Sequence, residues 1–248
     1  AQTLIERGHD VVLFEKNDKL GGRLHEISLL PFKEDLRRYL NWSINTTMNC
    51  GAKIVLNTDA TPDLVRAEKP DAILIALGSE PFTPPIPGID GENVYSVIDV
   101  DTGKAKPGKR VVICGGGLSG MECGLGLSLA GHEVSIVDMI PEEDFAKDMV
   151  VITRMMLIDS LKERGVKFLG DRMIRCITNK GVEIENKRWG YETIEADTVI
   201  TAFGMKPRTA NLTELKHIVP ETYVIGDCGG VADIGNAVHS AFNRAVEI

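Results

Sequence analysis

Three glycines stand where a strand-like run of residues gives way to a helix-like run. Gly115, Gly117 and Gly120 have the spacing G-x-G-x-x-G and directly follow the apolar residues 111–114. In such a turn the first glycine allows a tight bend, the second lets a phosphate approach, and the third lets the helix pack closely on the strand. The start of that helix offers free N–H groups and the positive end of its dipole. The segment, with Ser119 inside it, therefore predicts a site for the pyrophosphate of a dinucleotide.

A carboxylate follows at the distance that ribose recognition requires. Residues 133–137 predict a second strand, and Asp138 comes directly after it, about twenty residues beyond the turn. A carboxylate there can bind a ribose diol and repels a 2′-phosphate, and the next six residues contain no arginine. We therefore predict NAD rather than NADP. The alternative is that the glycines only make a tight connection between the strand and the helix. We disfavour it because three glycines would leave the start of the helix exposed and flexible unless a ligand occupied the turn.

Hydrophobic periodicity and turn residues predict the elements around these motifs. The two longest helices are expected at 32–48 and 145–164, and Met155, Met156 and Leu157 are expected to fill the core. Strands are predicted at 11–15, 53–56, 71–78, 110–114, 133–138, 166–169, 197–204 and 222–227, with the strand at 11–15 buried and parallel to its neighbour, and an antiparallel meander at 173–194. Shorter helices are predicted at 1–7, 62–68, 118–130 and 235–248.

The pattern of an acid, an apolar run and a glycine occurs twice, at 71–78 and at 197–204. We therefore expect an α/β fold with two Rossmann-like dinucleotide-binding units, each built on a parallel sheet, plus the small meander. The first unit is predicted at 1–95 and 205–248, and the second, at 96–204, is inserted into it. The chain opens on what reads as a helix end before a second strand, without an initiator methionine, so we expect the first strand and glycine turn of that unit to lie upstream.

The order of these motifs resembles a known group of flavoproteins. An acid-ended strand is followed by Gly-Gly-Arg-Leu at 21–24, Ala-Leu-Gly at 76–78, the glycine turn, Ala-Phe-Gly at 202–204, and Tyr-Val-Ile-Gly-Asp at 223–227. This is similar to the two-dinucleotide-binding-domain flavoprotein superfamily. Within it, the chain most resembles the C-terminal part of the 2,4-dienoyl-CoA reductase, NADH oxidase and trimethylamine dehydrogenase family. The residues at 31–33, 68–71 and 236–248 support that narrower resemblance.

The resemblance implies that the first unit binds FAD. Glu15 would hold the adenosine ribose, although alone it could equally be the polar end of a strand. Asp227 would meet the ribityl and pyrophosphate portion, because a short carboxylate can bond hydroxyls or reach phosphate through water; otherwise it only forms a turn. The other residues that we assign to the cofactors are Gly22, Arg23, Leu24, Ala76, Gly78, Gly226, Asn236 and Ala237 for FAD and Gly204 beside the NAD unit.

Composition excludes several other classes of protein. The net charge of −8 disfavours nucleic acid and anionic membranes as partners, and the absence of a long apolar run or a secretory pattern favours the cytoplasm. The five cysteines are scattered without a C-x-x-C motif, so we predict neither a metal site nor a redox dithiol. A thiol-dependent reductase is disfavoured for the same reason. None of the five histidines forms a recognisable catalytic pair, and we assign no catalytic residue.

The sequence thus predicts a flavin-dependent oxidoreductase module that passes hydride from NADH to FAD and electrons onward to a redox centre elsewhere. By the resemblance, that centre would belong to an N-terminal flavin barrel with an iron–sulfur cluster, in a dienoyl or enoate reductase or an NADH oxidase. FAD binding to these 248 residues alone is expected to be weak or absent, and the chain alone inactive. The alternative is an inert nucleotide-binding domain with a structural or regulatory role in a larger flavoenzyme.

Overall fold

The computed structural model describes residues 1–248 and separates into two compact units. The first unit comprises Ala1–His25, Glu34–Pro81 and Met205–Ile248, and the second comprises Glu26–Lys33 and Phe82–Gly204. The predicted α/β class, with parallel sheets and an antiparallel meander, is confirmed. The division between the units falls after Pro81 rather than after residue 95, because the strand at Val94–Ser96 pairs within the second unit. The assignment of each unit to one cofactor stays a prediction.

Nine α-helices and fourteen strands make up the chain. The helices are α1 (Gln2–Glu6), α2 (Leu24–Ile27), α3 (Glu34–Met48), α4 (Pro62–Glu68), α5 (Val97–Asp101), α6 (Leu118–Leu129), α7 (Val151–Glu163), α8 (Leu212–Lys216) and α9 (Ile234–Glu247). The strands are β1 (Val12–Phe14), β2 (Lys53–Val55), β3 (Ala72–Ile75), β4 (Ser79–Pro81), β5 (Val94–Ser96), β6 (Arg110–Cys114), β7 (Glu133–Val137), β8 (Lys167–Leu169), β9 (Arg172–Thr178), β10 (Gly181–Asn186), β11 (Tyr191–Glu195), β12 (Thr198–Thr201), β13 (Met205–Pro207) and β14 (Glu221–Val224). None of these helices combines the length and the apolar character that crossing a bilayer requires.

The second unit is built on a five-stranded parallel sheet in the order β5-β12-β6-β7-β8. Residues 111–114 of its central strand β6 are buried on both faces, which explains why they form an uninterrupted apolar run. Val111 and Ile113 pack against α6 and α7, whereas Val112 and Cys114 pack against the antiparallel meander β9-β10-β11. Successive side chains point to opposite faces of a strand, so the sheet lies between a helical layer and the meander.

A short excursion of the chain also belongs to the second unit. Residues 26–33 leave the first unit, pack against α6, and return to the first unit at Glu34. The Lys33 ammonium lies 2.5 Å from the Glu122 carboxylate on α6, and both side chains are mostly buried. Leu30 lies so close to Gly126 that a Cβ added there would be 3.0 Å from its Cδ2 atom. Nothing in the composition of this segment predicted its place in the second unit.

The sheets of the first unit have fewer strands than those of the second, two in each sheet against five and three. β1 pairs in parallel with β2, β14 pairs in parallel with β3, and β4 pairs antiparallel with β13. β1 and β3 are each hydrogen-bonded on one edge only. The predicted parallel pairing of β1 is confirmed, but the prediction that it is buried is wrong, since none of its three residues is buried. A strand that is paired on one edge keeps the other edge accessible.

Helix α7 differs from its prediction in its first residue and in which of its side chains face the core. It begins at Val151 rather than at Phe145, because a 3₁₀ turn at Glu142–Asp144 and a left-handed residue at Ala146 (φ +50°) precede it. Leu157 and Leu161 face the core, one turn apart. Met155 and Met156 are exposed, so the prediction that they fill the core is wrong for these two and right for Leu157.

Candidate functional site

The carboxyl ends of three neighbouring strands of the second unit lie in one row. Cys114 at the end of β6 is in register with Val137 of β7 and with Thr201 of β12. Gly115, Asp138 and Ala202 therefore leave the sheet together. In open parallel sheets, ligands bind outside this carboxyl edge, so the fold brings the predicted glycine turn and the predicted ribose acid to the expected place.

Two glycines of the turn are required by close packing. Gly115 has φ +127°, and a Cβ added to it would lie 2.3 Å from the carbonyl oxygen of Ala202. A Cβ added to Gly120 would lie 2.1 Å from the carbonyl oxygen of Gly115. Side chains at either position would force α6 away from the sheet. These two glycines therefore place the start of α6 against the end of β6.

Gly117 stands in a different environment, where a Cβ would meet no atom within 4 Å. It is the N-cap of α6, and no side chain caps the helix. Gly117, Leu118 and Ser119 are all exposed. The first N–H groups of a helix have no partner within the helix, and here they face open space beside the positive end of the helix dipole. This environment suits a phosphate group.

Asp138 is bonded to the glycine turn. Its Oδ2 atom accepts a hydrogen bond of 2.6 Å from the backbone N–H of Gly116, and its Oδ1 atom accepts one of 3.2 Å from Ile140. The residue is half-buried. An ionised carboxylate has about four lone-pair sites, so two acceptor positions are left for a ribose diol. The structure therefore brings Asp138 beside the turn, and its role in ribose binding stays a prediction.

Sequence reasoning missed the residues that support the turn from behind. A Cβ on Gly116 would lie 2.8 Å from the ring of Phe145, which is fully buried. The N–H of Ala146 donates a 2.9 Å hydrogen bond to the carbonyl oxygen of Gly116. Arg154 on α7 holds this segment through a 2.7 Å bond from its Nε atom to the carbonyl oxygen of Phe145. The extra glycine at 116 was a signal in the sequence, but no pattern pointed to Phe145.

The neighbouring cysteines are unsuited to nucleophilic chemistry. Cys114 ends β6 and Cys123 lies on α6, and both are buried. Burial raises the pKa of both thiols, with the Asp138 charge adding to the effect on Cys114 and the Asp101 charge to that on Cys123. Both thiols therefore stay protonated, and a thiolate is the reactive form of cysteine.

Gly204, the other residue predicted here, is exposed at φ +83°, and its carbonyl oxygen accepts a 3.0 Å bond from the N–H of Phe82.

In the first unit, part of the predicted FAD set gathers at the carboxyl ends of β3 and β14. The buried Ser79 hydroxyl donates a 2.7 Å hydrogen bond to Oδ2 of Asp227. The N–H of Gly226 donates a 3.0 Å bond to the hydroxyl of Ser240. A Cβ on Gly226 would lie 3.8 Å from that of Ala237. The sequence analysis named Gly226, Asp227 and Ala237 but neither serine.

The other predicted FAD residues take up local positions. The carboxylate of Glu15 accepts bonds of 2.8 Å from the backbone N–H of Asn17 and 2.7 Å from its side chain, directly after β1. The side-chain amide of Asn236 donates a 3.0 Å bond to Asp233, the N-cap of α9. Gly22 (φ +48°) and Gly78 (φ +73°) have left-handed backbone conformations, and a Cβ added to either would meet no atom within 4 Å. Arg23 and Leu24 follow Gly22 at the start of α2. Ala76 is exposed directly after β3.

Comparison with known proteins places this geometry in a family. The chain is 32% identical to a bilirubin reductase of Mediterraneibacter gnavus over 96% of its own length and 37% of that protein. It is 33% identical to an NADH oxidase of Thermoanaerobacter brockii over 100% of the chain and 39% of that protein. Among solved structures, a 2-naphthoyl-CoA reductase in complex with 2-naphthoyl-CoA matches with a TM-score of 0.90 and 32% identity, over 100% of this chain and 37% of that one.

These relatives confirm the resemblance to NADH oxidases and to reductases of the dienoyl-CoA type. The chain spans less than two-fifths of the length of each of the three. Residues 1–243 match the pyridine nucleotide-disulphide oxidoreductases, a family that uses FAD and NAD(P)H. The chain therefore belongs to the pyridine nucleotide-disulphide oxidoreductase family.

Proposed function

We propose that the chain is the dinucleotide-handling module of a flavin-dependent oxidoreductase, in which hydride passes from NADH to FAD and electrons continue to a redox centre elsewhere in the enzyme. The observation that carries the proposal is the exposed, uncapped start of α6 next to the Asp138 carboxylate. The relatives span much longer chains, so the activity of the whole enzyme is part of this proposal.

The second unit would hold NADH. Gly117 and the first N–H groups of α6 would bind the pyrophosphate, since the space that a side chain would fill at Gly117 is open. Asp138 would bind the adenosine ribose through the acceptor positions that Gly116 and Ile140 leave available. We propose NADH rather than NADPH because the carboxylate would repel a 2′-phosphate.

The first unit would hold FAD. The left-handed glycines Gly22 and Gly78 leave room for a ligand, because a Cβ on either would meet no protein atom. Asp227, oriented by Ser79, would meet the ribityl and pyrophosphate portion, and Glu15 would bind the ribose. Arg23, Leu24, Ala76, Gly226, Asn236 and Ala237 complete the proposed contacts.

When bound, the nicotinamide supplies a hydride that the flavin accepts. The chain contributes binding and orientation: α6 counters the phosphate charge, and Asp138 and Phe145 fix the turn that positions it. No protein group has to transfer a proton in this step, which agrees with the buried, protonated state of the nearby thiols.

The relatives support a proposal for the class of the whole enzyme. A bilirubin reductase, a 2-naphthoyl-CoA reductase and an NADH oxidase are similar to the chain at nearly equal identity, 32%, 32% and 33%. We propose a dienoyl or enoate reductase or an NADH oxidase, with an N-terminal flavin barrel and iron–sulfur cluster as the onward redox centre. The choice of final electron acceptor would belong to that part of the enzyme.

Calorimetric titration of the 248-residue chain with NADH and with NADPH tests the nucleotide site. We expect saturable binding of NADH, weaker binding of NADPH, and loss of NADH affinity in Gly117→Ala. For the enzyme that contains this chain, we expect a flavin absorption spectrum that NADH bleaches. Nucleotide binding without bleaching would favour the inert nucleotide-binding domain, and the absence of NADH binding would reject both.

A further inference from the structure

Arg154 joins α7 to residues 142–146, which lie before this helix in the chain. Its Nε atom donates a 2.7 Å hydrogen bond to the carbonyl oxygen of Phe145, and its Nη2 atom donates another to the carbonyl oxygen of Glu143. Neither carbonyl oxygen accepts a hydrogen bond from a backbone N–H. One guanidinium group therefore supplies the donors for two backbone acceptors of this segment.

The segment depends on such support because its backbone is irregular. Glu142–Asp144 forms a single 3₁₀ turn, Phe145 is extended, and Ala146 is left-handed with φ +50°. A positive φ is uncommon for a residue other than glycine, and it persists where the surrounding contacts hold it. Arg154 binds the residue directly before Ala146 and so helps to keep this conformation.

The segment in turn holds Gly116 of the glycine turn. The buried ring of Phe145 lies so close that a Cβ on Gly116 would be 2.8 Å from it, and Phe168 packs edge-on against that ring with the centroids 6.0 Å apart. The N–H of Ala146 donates a 2.9 Å bond to the carbonyl oxygen of Gly116. Asp138 accepts the bond from the N–H of Gly116, so both backbone polar groups of this glycine are fixed.

Fixing the carbonyl group of Gly116 also fixes the N–H of Gly117. The two groups belong to one planar trans peptide unit, in which the C=O and N–H bonds point in opposite directions. Ala146 binds the carbonyl oxygen, so the N–H of Gly117 is directed away from Ala146. Gly117 is the exposed N-cap of α6. The direction of its donor therefore depends on residues 142–146.

The contact requires the shape of a guanidinium group. The donors of an arginine lie in one plane in fixed directions, whereas a lysine ammonium is a compact point charge. Nε and Nη2 of Arg154 bind acceptors that belong to two different residues, Phe145 and Glu143. A lysine at position 154 would keep the positive charge but would not reproduce both bonds. Charge and positioning can therefore be separated by one substitution.

We propose that Arg154 is a positioning residue for the dinucleotide. By holding the carbonyl groups of Glu143 and Phe145, it fixes the peptide between Gly116 and Gly117 and thereby sets the direction of the N–H that the turn offers to the pyrophosphate. A donor that is already oriented lowers the cost of binding. The proposal rests on the proposed function, because it assumes a pyrophosphate at the start of α6, and it adds α7 to the elements that determine nucleotide affinity.

Calorimetry with NADH on Arg154→Lys tests the proposal, at a temperature where thermal denaturation shows the variant to be folded. We expect the Kd to rise about tenfold, because a small misplacement of a binding group is costly. Arg164→Lys is the matched control, since Arg164 at the end of α7 is exposed and also donates to a backbone carbonyl, that of Ser160, at 3.3 Å. Its Kd should equal that of the unmodified chain. NADH affinity that is unchanged in Arg154→Lys would overturn the proposal, because the retained charge alone would then suffice.

Steady-state kinetics of the enzyme that contains this chain separate positioning from a merely structural role. In Arg154→Lys we expect the KM for NADH to rise about tenfold and kcat to stay within about twofold, the pattern of lost binding that is uniform between ground state and transition state. Partial unfolding would instead lower kcat through loss of active enzyme and leave KM unchanged. That second pattern would overturn the proposal.

The failure of this proposal can be told apart from the failure of the proposed function. If Gly117→Ala weakens NADH binding while Arg154→Lys does not, the turn binds the pyrophosphate without help from α7, and only the role of Arg154 is wrong. If the unmodified chain does not bind NADH, both proposals are wrong.

Discussion

The carboxylate of Asp138 accepts a 2.6 Å hydrogen bond from the backbone N–H of Gly116. The acid at the end of β7 thereby fixes the turn at the end of β6, its neighbour in the sheet. Hydrogen bonds to charged groups contribute about 1.5–3 kcal/mol. Asp138 is therefore expected to stabilise the turn before any nucleotide arrives, in addition to its proposed contact with ribose.

Substitution of Asp138 separates these two roles. Asp138→Ala should lower the free energy of unfolding by about 1–3 kcal/mol, because the N–H of Gly116 loses its acceptor, and should weaken NADH binding. Asp138→Asn keeps an acceptor oxygen but no negative charge, so it should retain most of the stability and bind NADPH better relative to NADH. Urea denaturation and titration with both nucleotides measure these effects. An unchanged NADPH-to-NADH ratio in Asp138→Asn would remove Asp138 from cofactor discrimination.

Two glycines of the turn should respond differently to the same substitution. Gly120→Ala places a Cβ 2.1 Å from the carbonyl oxygen of Gly115, so it should destabilise the fold by about 1–3 kcal/mol. Gly117→Ala meets no protein atom and should change stability by less than ~1 kcal/mol, yet raise the Kd for NADH about tenfold or more, equivalent to ~1.4 kcal/mol.

Thermal denaturation and calorimetry on the same samples distinguish these outcomes. Gly230→Ala is the matched control, because a Cβ there also meets no atom and the residue lies in the first unit. Equal NADH affinity in Gly117→Ala and the unmodified chain would count against phosphate binding at α6.

Asp101 should make the stability of the second unit depend on pH. Burial raises its pKa from the ordinary 3.8 to about 6, while the thiol of Cys123 and the Lys33 ammonium oppose that shift and Glu122 adds to it. The folded chain therefore holds a proton that the unfolded chain releases, so this contribution to stability is full below about pH 4 and is lost as the pH rises to about 6.

Asp101→Asn should abolish that loss and stabilise the chain at pH 8 by about 1–2 kcal/mol, after allowance for solvent screening of a partly accessible group. The measurement is the difference in unfolding free energy between variant and unmodified chain at several pH values, since other carboxylates cancel in the difference. A flat difference for Asp101→Asn would contradict the expected proton uptake.

Backbone amides should exchange with solvent faster in the first unit than in the second. β1 and β3 are hydrogen-bonded on one edge, whereas β6 and β7 lie between two partners. Amides that open with fewer supporting contacts exchange at lower free energies. Hydrogen–deuterium exchange by mass spectrometry should therefore show lower protection in peptides that cover β1 and β3 than in those that cover β6 and β7. Equal protection would indicate that the open edges of β1 and β3 are covered.

The motifs with fixed local spacing were predictable from the sequence. The glycine turn and Asp138 come together because parallel strands end at one edge in register, and the meander follows from alternation and from turn residues such as Asn179 and Gly181. These features depend on neighbouring residues and on one general rule of sheet topology. The Thr61 cap of α4 is another case, since its hydroxyl accepts a 3.3 Å bond from the N–H of Leu64 three residues on.

Contacts between distant segments were not predictable. Phe145 behind Gly116 and Ser79 beside Asp227 join positions far apart in the chain, and neither belongs to a periodic pattern. The exposure of Met155 and Met156 was missed because an apolar side chain does not reveal which face of a helix is covered. The accessibility of β1 depends on which strands pair with it, which its own sequence does not encode.

The excursion at residues 26–33 makes the backbone pass between the two units four times, since five separate stretches alternate between them. A shortened protein of residues 82–204 alone would lack Lys33 and Leu30, and the side of α6 that they cover would be exposed. Genetic recombination that transfers only residues 82–204 would expose the same side of α6. The two halves of this chain are therefore expected to be exchanged between proteins together, as one inherited block.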